Sequence, residues 1–90
     1  MKKALVSVTG SDRTGIIAKV SMALYNMEVN ILDITQTILS GYFTMLMVVD
    51  MSGNEKRFTE ITEKLNEVGQ EMGVLVNVQR MDIFDAIHNI

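Results

Sequence analysis

Apolar and polar positions alternate over residues 3–9, with Ala4, Val6 and Val8 on one side and Leu5, Ser7 and Thr9 on the other. That period of two predicts a half-buried strand. Over residues 14–27 the period lengthens. Ile16, Ile17, Val20, Leu24 and Met27 recur at helical spacing, as one apolar stripe requires. Alternation returns over 30–39, where Leu32, Ile34 and Ile38 oppose Asp33, Thr35 and Thr37. No proline or bulge signal interrupts this strand. Ser40-Gly41 fits a two-residue hairpin turn, and residues 42–51 follow with Phe43, Met45, Met47, Val49 and Met51 on one apolar face. Ser52-Gly53-Asn54 then breaks the chain. Phe58, Ile61, Leu65, Val68 and Met72 step by three and four, with charged residues between them, which predicts a second helix. On its outer face Glu60 and Lys64 are spaced as an i,i+4 pair, and Gly73 suits its C-terminal cap. Val74, Val76 and Val78 alternate with Leu75, Asn77 and Gln79 in a last strand, and Ile83, Phe84, Ile87 and Ile90 predict a short helical tail over 81–90.

The element order is β-α-β-β-α-β plus a C-terminal helix. Right-handed crossovers turn that order into an α+β, ferredoxin-like sandwich: an antiparallel sheet ordered 4-1-3-2 with both helices on one face. Two surfaces are left unfinished. The sheet face away from the helices is expected to carry Leu5, Ile31, Leu46, Val48 and Leu75, enough apolar surface to want a cover from the tail or another chain. The edge strand 30–39 is long and β-branched, and Asp33 is its one visible guard against open pairing. Pairing with its own copy about a two-fold axis is the simplest outcome.

Ninety residues make a single domain, 1–90, and 48% apolar composition makes it globular. A net charge of −3 argues against a nucleic-acid footprint. The RNA-recognition module shares this element order, but Thr44 and Leu46 stand where it carries stacking aromatics. With no cysteine, disulfides, iron–sulfur clusters and thiolate zinc sites are excluded. The N-terminus is too polar for a signal peptide, and the aliphatic run 45–49 is too short to span a bilayer. A cytoplasmic protein with no membrane partner is expected.

No catalytic constellation emerges, and no cofactor is implied. His88 lies alone in the tail, Asp82 and Asp85 suit a helix start, and the serines have no base placed near them by the sequence. The methionines fall mainly on core faces, where their flexibility fills irregular space. Arg13 invites comparison with acylphosphatases, which share the fold and use a loop arginine, but the rest of that loop pattern is missing.

The chemistry concentrates in Gly10-Ser11-Asp12-Arg13-Thr14-Gly15, between the first strand and the first helix. Glycines free the backbone, and the following helix begins with unpaired N–H groups that suit a carboxylate. Asp12 beside them suits an ammonium group, so a small zwitterion is a natural guest. In the simpler reading Ser11 or Asp12 caps the helix and Gly15 eases packing. The first two strands run parallel, which puts this loop at one end of the sheet and Asn30 at the other. Antiparallel pairing of edge strands would bring Asn30 of a second copy toward the loop, where its amide offers both donor and acceptor. Asn30 also fits a plain turn role in Glu28-Val29-Asn30.

The strings Val8-Thr9-Gly10-Ser11-Asp12-Arg13-Thr14-Gly15-Ile16-Ile17-Ala18, Val29-Asn30-Ile31 and Asp33-Ile34-Thr35-Gln36 together resemble the ACT domain over nearly the whole chain. The likeness extends to stand-alone single-domain bacterial and archaeal members of unassigned function, to the N-terminal module of formyltetrahydrofolate deformylase and to the glycine-cleavage transcriptional repressor. The resemblance implies a regulatory module without catalysis that binds a small ligand, an amino acid by preference, at a homodimer interface. It implies ligand-facing roles for Ser11, Asp12, Arg13, Thr14, Gly15 and Ile16 and, from the partner, Asn30 and Ile31. The dimer would form through strand 30–39 and helix 14–27, and signal to a separate regulated protein. The alternative is a protein-interaction module with no small ligand. Many amino-acid-binding members have Asn-Arg-Pro-Gly after a polar side chain; this chain has Asp12-Arg13-Thr14-Gly15 after a bare Gly10.

Overall fold

A computed structural model of the protein describes residues 3–11 and 14–81. Its elements are β1 (Lys3–Ser11), α1 (Ile16–Asn26), β2 (Ile31–Leu39), β3 (Tyr42–Asp50), a 3₁₀ turn at Glu55–Arg57, α2 (Phe58–Met72) and β4 (Leu75–Arg80). The sheet order is β2-β3-β1-β4, with antiparallel neighbours throughout. That is the expected βαββαβ sandwich, with β1 and β2 parallel two positions apart. The expected C-terminal helix lies outside the described residues apart from Met81, which is helical.

Alternation decides which side of the sheet becomes core. Ala4, Val6 and Val8 of β1 and Phe43, Met45, Met47 and Val49 of β3 turn toward the helices and are buried. They meet Ile16, Val20 and Leu24 from α1 and Ile61, Leu65 and Met72 from α2. Each buried aliphatic side chain contributes roughly 1.5–3 kcal/mol of transfer free energy. The hairpin turn is as expected, with Ser40 at φ 53° and Gly41 at φ 81°, the paired positive values of a type I′ turn. Gly73 closes α2 in the left-handed conformation at φ 71°.

Three details depart from the sequence pattern. α1 begins at Ile16, two residues later than predicted, because Gly15 at φ 94° is its N-cap. The edge strand does contain a bulge: Ile31 pairs with Val49 and Asp33 with Val48, which leaves Leu32 as an extra residue. The bulge flips the side-chain phase. Ile31 therefore packs against the core instead of lying on the open sheet face, while Leu5, Leu46, Val48 and Leu75 do lie there. Finally, Lys64 pairs with Glu67 at 3.5 Å and Glu60 with Arg57 at 3.0 Å, both i,i+3, in place of a Glu60–Lys64 bridge. Glu60 turns to Arg57 because that guanidinium is already anchored, donating to the Met27 carbonyl and to Asn54 Oδ1.

Candidate functional site

The β1–α1 connection sits on a rigid floor. Gly10 is the last helix-facing residue of β1, opposite Phe43. A Cβ placed on it would stand 2.9 Å from Val74 Cγ1 and 3.2 Å from the Val74 backbone. The absence of a side chain before the loop is therefore a packing requirement of the α2–β4 turn. Gly15 answers a different need. A side chain there would have room, with Met72 Cε 3.8 Å away, but φ 94° penalises any residue that carries a Cβ.

Among the described residues, no side chain caps α1. Gly15 offers none, and no side-chain hydrogen bond closes the helix N-terminus, whose first turn also lacks an acidic residue. The backbone repeat starts with Lys19 N–H donating to the Gly15 carbonyl at 2.9 Å. With no partner among the described residues, the N–H groups of Ile16, Ile17 and Ala18 have the donor capacity and positive end of the helix dipole that suit an anion. Ser11 therefore does not cap the helix, and the reading in which Asp12 does so lies outside the described residues.

Beside this helix end lies a shallow cleft of ≈ 250 Å³ whose described lining is Gly15, Ile16, Ile17, Ala18, Gln36, Ile38 and Phe43. Its floor is the helix-facing side of the sheet edge, and among the described lining residues Gln36 is the one polar side chain. Gln36, Ile38 and Phe43 are absent from the residues expected at the site. Their signal is faint but present, since Gln36 falls between Ile34 and Ile38 on one phase of β2.

The remaining candidates divide by position. Ser11 ends β1 and Thr14 precedes the N-cap, both exposed near the cleft. The Ile16 side chain is 2% exposed and belongs to the core, so only its backbone can face a ligand. Asp12 and Arg13 lie outside the described residues. Asn30 and Ile31 sit at the opposite end of the sheet, where the Asn30 carbonyl accepts the Asp50 N–H at 2.9 Å. Nine residues of β2 separate the two groups, about 26 Å at strand rise. One chain cannot bring them together.

The flank between them is unfinished. Among the described residues β2 is hydrogen-bonded to β3 alone, so its outer edge meets no other described strand. Ile34 and Ile38 beside that edge are 44% and 58% exposed, and Ile17, Met22 and Tyr25 of α1 are also exposed. An apolar surface next to open backbone groups suits association.

Among known proteins, the chain is 46% identical over all 90 residues to the UPF0237 protein of Methanocaldococcus jannaschii, with both chains covered completely. It is similar in structure to an ACT domain protein from Streptococcus pneumoniae, with 40% identity and a TM-score of 0.82 over 92% of this chain and 93% of that one. The regulatory subunit of aspartate kinase from Thermus thermophilus also matches, with 25% identity and a TM-score of 0.70 over 87% of this chain and 51% of that one. With the ACT domain model matched over residues 2–79, on a sheet of order β2-β3-β1-β4, the chain belongs to the ACT domain family, whose members are typically ligand-binding regulatory modules.

Proposed function

We propose that this protein is a homodimeric regulatory module that binds a small zwitterion of the amino-acid class and relays its state to a separate protein, with no catalysis of its own, in the cytoplasm. The observation that carries this reading is that, among the described residues, the α1 N-terminus has no side-chain cap and lies at an apolar cleft beside an edge strand with one partner. The ligand carboxylate meets the N–H groups of Ile16 to Ala18. Asp12 takes the ammonium group, with Ser11, Arg13, Thr14 and Gly15 around it. Asn30 and Ile31 of the partner close the other side.

A specific strand register makes this possible. Two copies of β2 run antiparallel with Thr35 opposite the partner's Thr35. Gln36 then faces the partner's Ile34 on the helix side, and Asp33 faces the partner's Thr37 on the open side. Both helix layers stay on one side of a continuous sheet, and no like charges oppose one another. With Leu32 as the extra residue of the bulge, the same register carries the partner's Asn30 to the level of Leu39, next to the loop. A register with Asp33 facing the partner's Asp33 would oppose two carboxylates and miss the loop.

A ligand that bridges two chains stabilises the dimer by linkage, about 2.7 kcal/mol at 100 times its dissociation constant. For a domain of this size that raises the melting temperature by more than ~10 °C. A thermal-shift screen of amino acids and related zwitterions at fixed protein concentration tests the reading. If no compound moves the midpoint while light scattering still reports a dimer, the ligand is refuted and the dimer stands. The second reading is then favoured: a protein-interaction module with no small ligand, docking through the exposed Leu39, Tyr42 and Leu75 of the open face.

A further inference from the structure

The candidate cleft is walled on one side. Its described lining comes from the start of α1 and from Gln36, Ile38 and Phe43 of the sheet beneath, and past β2 no described residue faces it. The opposite flank of α1 is taken up by α2. Lys19 reaches Glu71 at 2.9 Å, and Ala23, Asn26 and Met27 border a groove shared with α2. At about 100° per residue, Ile17, Ser21 and Tyr25 therefore climb the flank that faces the sheet edge. Tyr25 stands out there, because its ring is 75% exposed on a turn that is firmly held. Val29 N–H donates to the Leu24 carbonyl at 2.9 Å, and Glu28 N–H to the Tyr25 carbonyl at 3.0 Å. An anchored aromatic ring with a polar tip suits a site shared between chains.

We propose that the partner's Tyr25 roofs this cleft, so that each copy supplies the cover of the other's site. This placement rests on the dimer proposed above, in which β2 pairs with its copy about Thr35. Ile17 lines the cleft together with Gln36 and Ile38, which sets it about 7 Å past Thr35 at strand rise. α1 runs back along β2, and Tyr25 lies eight residues farther on, about 12 Å the other way. In its own chain Tyr25 thus stops about 5 Å short of Thr35, away from the cleft. The two-fold axis reverses that sign. It carries the partner's Tyr25 to about 5 Å past Thr35, within about 2 Å of the level of Ile17. Ser21, midway between them, falls at the axis, where a small side chain lets the two copies of α1 approach.

The facing around the helix agrees with the level along it. Ile17 lies about 60° from Val20, the centre of the buried face, and Tyr25 about 140°. Ile17 therefore leans toward the sheet, while the partner's ring arrives from above it. The partner's Asn30 closes the site at the level of the sheet, and the partner's Tyr25 closes it on top. A ligand at the start of α1 is then shielded from water by the apolar body of a ring whose hydroxyl remains available to it.

The test is nuclear Overhauser spectroscopy on the full chain. Ile17 and Tyr25 of one chain are about 12 Å apart, beyond the reach of the effect, so a cross-peak between the Tyr25 ring and the Ile17 methyl groups arises only between chains. It is expected in an isotope-filtered spectrum of mixed labelled and unlabelled protein, at a concentration where light scattering reports a dimer. A dimer without the cross-peak overturns the roof and leaves the dimer standing; a monomer at every concentration overturns both. As an independent readout, Tyr25→Asp should weaken the dimer about ten-fold or more, because it sets an unpaired carboxylate against Ile17. Met22→Asp adds the same charge on the outer side of α1, where Met22 is 56% exposed, and should leave the dimer unchanged. Equal effects of the two substitutions would refute the placement of Tyr25.

Discussion

Replacing Gly69 with alanine is expected to destabilise the protein, although propensity alone predicts the reverse. In a helix interior alanine is better than glycine by about 1 kcal/mol. Gly69, however, is buried where α2 lies against β4. A Cβ there would stand 2.7 Å from Val76 Cγ2 and 2.9 Å from the Val74 carbonyl oxygen. The side chain of Val76 can turn away, but the carbonyl cannot, because Val74 N–H donates to the Gly69 carbonyl at 2.9 Å and pins the two backbones together. Overpacking of this kind costs about 1–3 kcal/mol; the pinned carbonyl places it in the upper part of that range, about 2–3 kcal/mol, so the net change is a loss of roughly 1–2 kcal/mol. For a domain of this size the melting temperature should fall by about 5–15 °C. Thermal and urea unfolding at one protein concentration would measure it, with an unchanged urea slope confirming that the same transition is compared. Asn66→Ala on the exposed side of α2 is the control, expected to gain a few tenths of a kcal/mol from propensity alone. A Gly69→Ala protein as stable as the parent would show that α2 and β4 are not in close contact, and would remove the floor on which Gly10 and Val74 meet.

The remaining expectations concern the edge, the loop and acid stability. The chain has no cysteine, so Thr35→Cys should give a disulfide-linked dimer under mild oxidation, since directly opposed strand residues lie within disulfide range. Thr37→Cys should not cross-link, because in the proposed register its two copies lie four residues apart, about 13 Å; equal cross-linking of both would refute that register. Gly15→Ala should cost about 1–2 kcal/mol for its left-handed backbone, and Gly15→Asn less, as read by urea midpoints; equal costs would mean that the conformation is not held. The Asp50 carboxyl is held below its ordinary value of 3.8, chiefly by the Ser52 backbone N–H donating to Oδ1 at 2.9 Å and then by the Ser52 side chain. Its contribution is therefore complete above pH 3.8 and lost as pH falls through the lowered value. The stability gap between parent and Asp50→Asn should accordingly close in acid, and a gap that widens there would contradict the assignment.

The fold was legible because hydrophobic spacing alone separates strand from helix in this chain. Val6 and Val8, or Ile61 and Leu65, carry both their element and their facing in their spacing. What stayed hidden depends on backbone conformation or on absent side chains. The bulge at Leu32 gives no signal, since Ile31 and Leu32 are equally apolar and either phase buries one of them. Gly69 contributes nothing to a hydrophobic pattern, yet it sets how closely α2 approaches β4. For the candidate site, residue type and topology point to the loop and to Asn30 as expectations. The cleft wall of Gln36, Ile38 and Phe43 depends on how α1 settles on the edge strand, which spacing does not encode.

The distance between the two halves of the candidate site has a thermodynamic consequence. With Ser11 and Gly15 at one end of the sheet and Asn30 at the other, a monomer holds the uncapped helix end and half of the cleft wall, and little to enclose a ligand. In the proposed dimer, enclosure and assembly become one event, and apparent ligand affinity would rise with protein concentration until the dimer is saturated. Reciprocity requires the converse: ligand must tighten the dimer by the same factor. The edge of β2 is guarded by one carboxylate, Asp33, and its bulge lies at the Ile31 end. Both features penalise misaligned pairing more than the register centred on Thr35. A weakly self-pairing edge would serve a sensor better than a permanent one, because the ligand's share of the stabilisation then decides how much dimer is present. Titrating dimer dissociation with and without a bound zwitterion therefore measures sensing directly, and equal dissociation constants would mean that the site, even if occupied, reports nothing to the rest of the molecule.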